Sequence, residues 1–158
     1  FQLDVLLSLV ISAVLGGVIG FEREWAGKPA GLRTHMLVCS AAALFVQLGK
    51  VISPIISDYE NQINMDPSRI LHSIILGISF IGAGVIFQNK ESGKIANLTT
   101  AASIWFTTGM GIAVALELYY VSVGATILGL AINSVVGGLE RKEEDWKEER
   151  RKEEADED

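Results

Sequence analysis

Long apolar stretches alternate with short charged segments along this chain. Val5–Phe21 contains no charged residue, Met36–Gly49 contains none, and Ile70–Asn89 runs for twenty residues without a formal charge. An α-helix rises about 1.5 Å per residue, so the seventeen residues of Val5–Phe21 are about enough to cross the hydrocarbon core of a bilayer. The pattern therefore predicts helices that span a membrane.

The last apolar stretch, residues 95–139, is too long for one crossing. It holds a single charged residue, Glu117, among its 45 residues. One continuous helix would be about 67 Å long, more than twice the thickness of the hydrocarbon core. The stretch must therefore fold back, and Glu117-Leu-Tyr-Tyr120 is the place where interfacial residues favour a turn.

Five membrane-spanning helices are thus predicted for an all-α integral membrane domain of residues 1–139, followed by a charged, helical tail of residues 140–158. The predicted helices cover about residues 3–21, 33–52, 70–89, 99–116 and 119–138. Gly27–Gly31 supplies the turn between the first two helices, and the second helix is expected to end before Pro54. Asp66-Pro67-Ser68 is typical of a helix N-terminus and is expected to cap the third helix.

The acidic balance of the chain comes from its end. The net charge is −6, and the last nineteen residues carry eleven of the nineteen acidic and six of the thirteen basic residues. The low isoelectric point therefore gives no indication of a nucleic-acid partner, and none is expected; the indicated partner is the lipid bilayer. A single cysteine excludes an intrachain disulfide framework. The first residues lack a basic segment, so Val5–Phe21 is expected to be a membrane helix and not a cleaved signal peptide.

The basic residues are distributed unevenly between the two sides of such a topology. The segment Glu22–Arg33, the segment Lys90–Lys94 and the tail would hold eleven of the thirteen basic residues, whereas Lys50 and Arg69 fall on the other side. Basic residues concentrate in the cytoplasmic loops of membrane proteins. The expected orientation has the N-terminus outside and the C-terminus in the cytoplasm.

Charged groups close to a membrane are costly, which makes the segment between the first two helices a candidate site. Its members are Glu22, Arg23, Glu24, Arg33 and Thr34. They could form an ion-paired cluster that gates the protein or binds a partner, or they could simply anchor the topology by positive charge. In a bidentate cluster lysine could not replace either arginine, because it lacks the planar fork of the guanidinium group.

A candidate cation site lies before the third helix. Asp66, with Asp58 and Glu60, could offer oxygen ligands to Mg²⁺. Alternatively, Asp66 caps the helix and Arg69 extends its side chain to the membrane interface. Mg²⁺ is considered only as a ligand or a transported ion, and no cofactor is expected.

The fourth helix carries a strip of polar residues: Asn97, Thr99, Thr100, Ser103, Thr107 and Thr108. Thr99, Ser103 and Thr107 lie four residues apart and are therefore expected to share one face of the helix. Hydrogen bonds between helices explain the strip, and a hydrophilic path along the helix is the alternative.

Glycines at helical spacing predict close packing of helices, within the chain or between copies. Gly16 and Gly20 share a face of the first helix, and Gly77, Gly82 and Gly84 form a band of small residues in the third. Small residues let the backbones of membrane helices approach closely. A homo-oligomer is therefore expected.

His35 and Cys39 lie one helical turn apart, which would suit a Cys–His nucleophile or a soft-metal site. The sequence places no third ligand or orienting acid beside them. A P-loop, a Gly-x-Ser-x-Gly motif and a His-Glu-x-x-His motif are all missing from the sequence, so no enzymatic activity is expected.

Five stretches occur in the order and spacing of a known family. They are Gly20-Phe-Glu-Arg-Glu24, Ala30-Gly-Leu-Arg-Thr-His35, Asp66-Pro-Ser-Arg-Ile70, Gly77 with Phe80-Ile-Gly-Ala-Gly-Val85, and Leu98-Thr-Thr-Ala-Ala-Ser-Ile-Trp105. On these residues the chain resembles the MgtC/SapB family of bacterial inner-membrane proteins. His72, Ser73, Leu76 and Ser79 depart from the residues expected within the third-helix motif.

The resemblance implies a multi-pass protein of the bacterial inner membrane, associated with survival in low magnesium and with virulence. Family members are often labelled magnesium transporters, and many carry a further cytoplasmic domain after the last helix. The function expected here is support of magnesium or other divalent-cation homeostasis by regulation of another inner-membrane complex. Direct transport of Mg²⁺ or another ion is the alternative. Regulation ranks first because a cation transporter usually carries a membrane-embedded carboxylate, and the candidate, Glu117, lies at a turn.

Overall fold

The computed structural model describes residues 2–59, 68–88 and 95–138, together with Trp146 and Arg150. Five α-helices lie in these residues: α1 Gln2–Trp25, α2 Leu32–Tyr59, α3 Ser68–Val85, α4 Leu98–Ala115 and α5 Tyr119–Ala131. The last helix continues as a π-helical turn over Ile132–Val136. Two short strands, β1 (Phe87–Gln88) and β2 (Ile95–Ala96), pair antiparallel. The all-α prediction is therefore confirmed apart from this pair of strands.

Four of the described helices are long and apolar enough to cross a membrane: α1, the Leu32–Ser53 part of α2, α3 and α4. The fifth apolar helix, Tyr119–Val135, is shorter. The outward surfaces of the helices are apolar, and Leu3, Phe80 and Tyr120 are 79%, 83% and 96% exposed. Small hydroxyl residues are buried instead. This distribution fits a protein surrounded by lipid, in which polar side chains turn toward neighbouring helices.

The helices are arranged around a hairpin of α1 and α2. α4 packs across both of these helices, α3 packs mainly on α4, and α5 folds back onto α4 and α1. The largest fully buried apolar side chains, Ile19, Ile104 and Met110, come from α1 and α4. The core therefore lies between α1, α2 and α4, with α3 and α5 on its outside.

α1 continues to Trp25, so its predicted end near residue 21 was too early. The helix ends in a Schellman motif. The Lys28 N–H donates to the Arg23 carbonyl at 3.0 Å, and the next bond, from Gly27 to Glu24, is also 3.0 Å long. Gly27 has a φ of 67°, a left-handed conformation that glycine adopts without strain. The predicted turn is confirmed, and the charged residues that precede it belong to the helix.

α2 passes through Pro54 and ends at Tyr59, whereas the prediction ended it before the proline. Proline has no N–H to donate, so the helix continues past this point with one hydrogen bond fewer. α3 ends at Val85 and not near residue 89, because the following Phe87–Gln88 pairs with β2. The Asn97 side-chain amide donates to the Val85 carbonyl at 3.2 Å and so satisfies the end of α3.

The turn between α4 and α5 falls at Glu117, as predicted. It is a second Schellman motif, in which the Leu118 N–H donates to the Ala113 carbonyl and the Glu117 N–H donates to the Val114 carbonyl, each at 2.9 Å. Glu117 has a φ of 64°. A residue with a Cβ atom is strained in this conformation.

The predicted N-cap at Asp66 lies outside the described residues, as do the segment 89–94 and most of the charged tail. Within the tail, Trp146 and Arg150 are helical and exposed. The Arg150 guanidinium carbon lies 4.5 Å from the centre of the Trp146 ring. The division into a membrane domain and a helical tail stays a prediction.

Candidate functional site

The last turn of α1 holds an ion pair between two neighbouring residues. Arg23 Nε lies 2.6 Å from Glu22 Oε2, and Arg23 Nη2 lies 2.7 Å from Glu22 Oε1. The guanidinium group therefore binds the carboxylate through two parallel hydrogen bonds. The side chain of Arg23 is only 5% exposed and that of Glu22 is 19% exposed, so the pair is largely shielded from water.

Glu24 contacts the start of α2 instead of joining this ion pair. Its Oε2 atom accepts a hydrogen bond from the Leu32 N–H at 2.9 Å. The first amides of a helix have no partner within the helix, and a carboxylate there also complements the helix dipole. Gly31 leaves room for this carboxylate, because a Cβ atom at that position would lie 2.6 Å from Glu24 Oε2.

Arg33 and Thr34 lie in the first turn of α2, outside the ion pair. Arg33 is exposed and forms no ion pair within the described part of the chain, and Thr34 is half-buried. The carboxylates of Glu22 and Glu24 are already bound to Arg23 and to the α2 backbone. The structure therefore does not bring Arg33 into the predicted cluster.

His35 is fully buried where α2 meets α4. Its Nδ1 atom lies 2.9 Å from the Gly31 carbonyl oxygen and must donate to it, because a carbonyl only accepts. Its Nε2 atom lies 3.1 Å from Ser103 Oγ, and the same hydroxyl lies 2.9 Å from the Thr100 carbonyl oxygen. A hydroxyl has one proton, so Ser103 can donate either to a neutral His35 or to Thr100, but not to both.

Both ring nitrogens of His35 are thus engaged away from Cys39, and the hypothesis of a Cys–His nucleophile is wrong. Cys39 is buried and packs against glycines of two helices. A Cβ atom on Gly16 would lie 2.7 Å from Cys39 Cβ, and one on Gly111 would overlap the Cys39 carbonyl oxygen. Across residues 2–59, 68–88 and 95–138, no group of three or more His, Cys, Asp and Glu side chains could hold a metal ion.

Gly16 and Gly20 lie where α1 crosses α2. A Cβ atom at Gly16 would be 2.5 Å from the His35 carbonyl oxygen, and one at Gly20 would be 2.8 Å from the Gly31 carbonyl oxygen. Distances this short would force the two backbones apart. These glycines therefore allow close packing of α1 on α2 within the chain.

The glycines of α3 differ from those of α1. A Cβ atom at Gly82 would lie 3.8 Å from the Ala101 Cβ atom, which is ordinary contact, whereas one at Gly77 or Gly84 would meet none of the described residues within 4 Å. The described residues therefore show no close packing at Gly77 or Gly84, and packing there between copies stays a prediction. α3 turns other residues toward its neighbours, and only Ile78 of this helix is buried.

The buried polar face of α4 keeps two of the three residues of the predicted face, with Thr100 in place of Thr99. Thr100, Ser103 and Thr107 are buried, whereas Thr99 is exposed. Residues three and seven positions apart lie on one side of a helix, so the buried set forms a continuous inner face. The Thr107 hydroxyl donates to the Ser103 carbonyl at 2.8 Å. The Thr100 hydroxyl and the Ser12 hydroxyl of α1 are buried without a hydrogen-bond partner among the described residues.

A polar contact at the other end of the core was not predicted. The Gln47 side-chain amide donates to Ser8 Oγ at 3.3 Å and lies 3.4 Å from the Ala115 carbonyl oxygen. Lys50 Nζ donates to the same carbonyl at 2.5 Å, so the negative end of the α4 dipole faces a cation. Gln47 is a polar residue within an apolar run, and Ser8 and Ser12 continue the four-residue spacing of the α1 glycines. These two features were the signals in the sequence from which the contact could have been predicted.

Arg69 is exposed at the start of α3 and lines a groove between α2 and α3. Asp66 and Glu60 lie outside the described residues, and the side chain of Asp58 is not described. The magnesium site proposed from these acids stays a prediction.

The chain is similar to proteins of one family. A model of the MgtC family matches residues 9–142. The "Putative magnesium transporter YhiD" of Escherichia coli K12 is 35% identical over 133 residues, which are 84% of this chain and 60% of that protein. "Protein MgtC" of Salmonella typhimurium LT2 is 37% identical over 128 residues, 81% of this chain and 50% of that protein. "Protein MgtC" of Brucella abortus 2308 is 37% identical over 126 residues, 80% of this chain and 48% of that protein.

No solved structure matches the chain significantly. The chain spans between 48% and 60% of the length of the three relatives. The family match covers most of the chain, and four of the described helices within it are long and apolar enough to cross a membrane. The chain is therefore a multi-pass membrane protein that belongs to the MgtC family.

Proposed function

We propose that the full-length protein supports Mg²⁺ homeostasis in the bacterial inner membrane by regulating another membrane complex. Membership of the MgtC family and a relative whose name refers to magnesium transport support the link to magnesium. The choice of regulation over transport rests on the way in which the core is closed.

The backbone of α2 touches that of α1 and that of α4 at glycines. Gly16 and Gly20 leave no room for a Cβ atom against α2, and Gly111 leaves none against the Cys39 carbonyl. An ion that moved along this core would have to separate helices that are in backbone contact, and the hydrogen bond between His35 and Ser103 would break. This closed contact is the observation that carries the proposal.

The end of α1 presents groups suited to a protein partner. Trp25 is 85% exposed, and the Phe21 ring lies 6.3 Å from it, centre to centre. Arg33 is exposed on the neighbouring turn of α2. Tryptophan and arginine are enriched among the residues that dominate binding energy at protein interfaces. The ion pair of Glu22 and Arg23 lies in the same last turn of α1 and is largely shielded from water.

Direct transport is the second candidate, and two hydroxyl groups favour it. Ser12 Oγ and Thr100 Oγ1 are buried without a hydrogen-bond partner among the described residues. A buried polar group without a partner is costly and normally finds water. Water at these positions could begin a hydrated path if α4 moved away from α1.

Vesicles and cells together separate the two functions. Purified full-length protein is reconstituted into vesicles that contain a Mg²⁺-sensitive dye, and the same gene is tested for growth support at low Mg²⁺ in cells that lack their own copy. We expect growth support, and Mg²⁺ entry no faster than into empty vesicles. Trp25→Ala should remove growth support, whereas Tyr120→Ala, which removes an exposed aromatic ring at the start of α5, should not.

Mg²⁺ entry well above that of empty vesicles would overturn the proposal. Thr100→Val and Ser12→Ala remove the two unpartnered hydroxyls with little change of shape. If both substitutions abolished this entry, transport along the core would be the function.

A further inference from the structure

A groove of about 760 Å³ lies between α2 and α3. It extends along α3 from Arg69 to Ile81, and Phe45 and Leu48 lie on its α2 side. Phe45, Leu48 and Ile81 are 53%, 46% and 49% exposed. The groove is therefore open along its length to the surroundings of the helices, which in a multi-pass membrane protein are lipid chains.

The polar groups of the groove lie mainly at one end. Arg69 is the charged residue of its lining, and Ser73 lies one turn farther along α3. Ser73 donates to the Arg69 carbonyl at 2.9 Å, and Thr108 donates to the Ile104 carbonyl at 3.0 Å, so both hydroxyls are satisfied within their own helices. Arg69 is exposed and has no ion-pair partner within the described residues. The groove thus offers a cation at one end and apolar surface along the rest.

The dimensions of the groove match those of one leaflet of a bilayer. From Arg69 to Ile81 the helix rises about 18 Å. Half of the hydrocarbon core is about 15 Å thick. A ligand pocket usually has a volume of about 300–1,000 Å³, and the groove falls within this range.

We propose that this groove binds an anionic phospholipid, with one acyl chain along α2 and α3 and the phosphate at Arg69. The guanidinium group can donate two hydrogen bonds to phosphate oxygens. Its charge favours an anionic headgroup over a zwitterionic one, in which a cation accompanies the phosphate. Gly77 lines the groove and leaves space for the acyl chain, since a Cβ atom there would meet none of the described residues within 4 Å. Contact of this face of α3 with lipid would explain why Gly77 has no packing partner among the described residues.

Native mass spectrometry of the full-length protein in detergent tests the proposal. Phosphatidylglycerol and phosphatidylcholine with the same acyl chains are added separately, and the affinity for the first bound lipid is measured. We expect phosphatidylglycerol to bind about fivefold more tightly, and Arg69→Gln to remove this preference. Gly77→Leu fills the groove and should weaken binding of both lipids about tenfold. Gly84→Leu is the matched control, because this glycine of α3 also has open space around it but does not line the groove.

Equal affinities of the wild-type protein for the two lipids would overturn the proposal, and so would equal lipid binding by Gly77→Leu and Gly84→Leu. A wild-type oligomer that Gly77→Leu dissociates without change in lipid binding would assign the groove to a second copy of the chain. Arg69 is exposed, so the Arg69→Gln comparison does not depend on whether Gly77→Leu folds.

Discussion

The Nε2 atom of His35 lies 3.1 Å from the Oγ atom of Ser103, and this hydrogen bond joins α2 to α4 across the core. Ser103→Ala leaves the buried ring nitrogen without a partner, and we expect the free energy of unfolding to fall by about 1–3 kcal/mol. Thermal unfolding in detergent measures the effect. Ser79→Ala is the matched control, because it removes an exposed hydroxyl that is bonded only within α3. Equal melting temperatures for the two variants would show that the contact with His35 contributes nothing.

Two arginines near the first turn should respond differently to replacement by lysine. Arg23 makes two hydrogen bonds to Glu22 and is buried, whereas Arg33 is exposed and has no ion pair among the described residues. Lysine cannot reproduce the paired hydrogen bonds, so Arg23→Lys should lower the free energy of unfolding by about 1.5–3 kcal/mol. Arg33→Lys should leave it within about 0.5 kcal/mol of the wild-type value. The prediction fails if the two variants unfold at the same temperature in detergent.

Gly20→Leu should disrupt the fold of the chain. A Cβ atom at Gly20 would lie 2.8 Å from both the Gly31 carbonyl oxygen and the Leu32 Cα atom, and neither backbone atom can move aside cheaply. We expect a loss of at least about 1–3 kcal/mol of stability and little monodisperse protein in gel filtration. Gly84→Leu introduces the same side chain into open space and should behave as wild type. A folded Gly20→Leu protein with weaker self-association would place this glycine at a contact between copies.

Glu117→Gly should stabilise the turn between α4 and α5. The residue has a φ of 64°, which strains any side chain with a Cβ atom but not glycine. Glycine also loses more entropy on folding, so we expect a net gain of no more than about 1 kcal/mol. Glu117→Gln, which removes the charge and keeps the Cβ atom, is the control and should leave the melting temperature unchanged. If Glu117→Gln raised the melting temperature as much as Glu117→Gly, the charge and not the backbone strain would be the destabilising feature.

Reporter fusions test the orientation. Fusions after Gly49, Asn89, Leu116 and Glu140 should report outside, inside, outside and inside in turn, because eleven of the thirteen basic residues would then be cytoplasmic. Without the tail, five basic residues would be cytoplasmic and two would be outside, so removal of the tail should preserve the order of the reporter signals. A cytoplasmic signal after Leu116 would contradict the hairpin of α4 and α5 in the membrane.

Features that depend on length and local chemistry could be predicted from the sequence. The apolar stretches predicted the helices, because the hydrocarbon thickness sets how many apolar residues a crossing needs. Glu117 located the last turn, since it is the charged residue in a stretch too long for one helix. Gly27 indicated the first turn through its freedom to adopt a positive φ. The predicted ends of α1 and α2 were less accurate. The charged residues at positions 22–24 continue the helix α1, and Pro54 removes only one helical hydrogen bond from α2.

Contacts in the core depend on which helix faces meet, and the sequence alone does not specify this. Thr99 and Thr100 are chemically identical neighbours, and only the packing of α4 decides that Thr100 is the buried one. For the same reason, the sequence alone could not distinguish the burial of Arg23 from that of Arg33. Arg23 lies on the face of α1 that turns toward the core, whereas Arg33 lies on the outer face of α2.

The contacts that close α1 onto α2 join residues that are near in the chain. Glu24 and Leu32 are eight residues apart, and Gly20, which packs against the Gly31 carbonyl, is eleven residues from it. Short loops cost little entropy to close. The hairpin can therefore assemble during synthesis, before the ribosome has made α4. Until then the Nε2 atom of His35 lacks Ser103, and the packing of α4 against α2 supplies this partner.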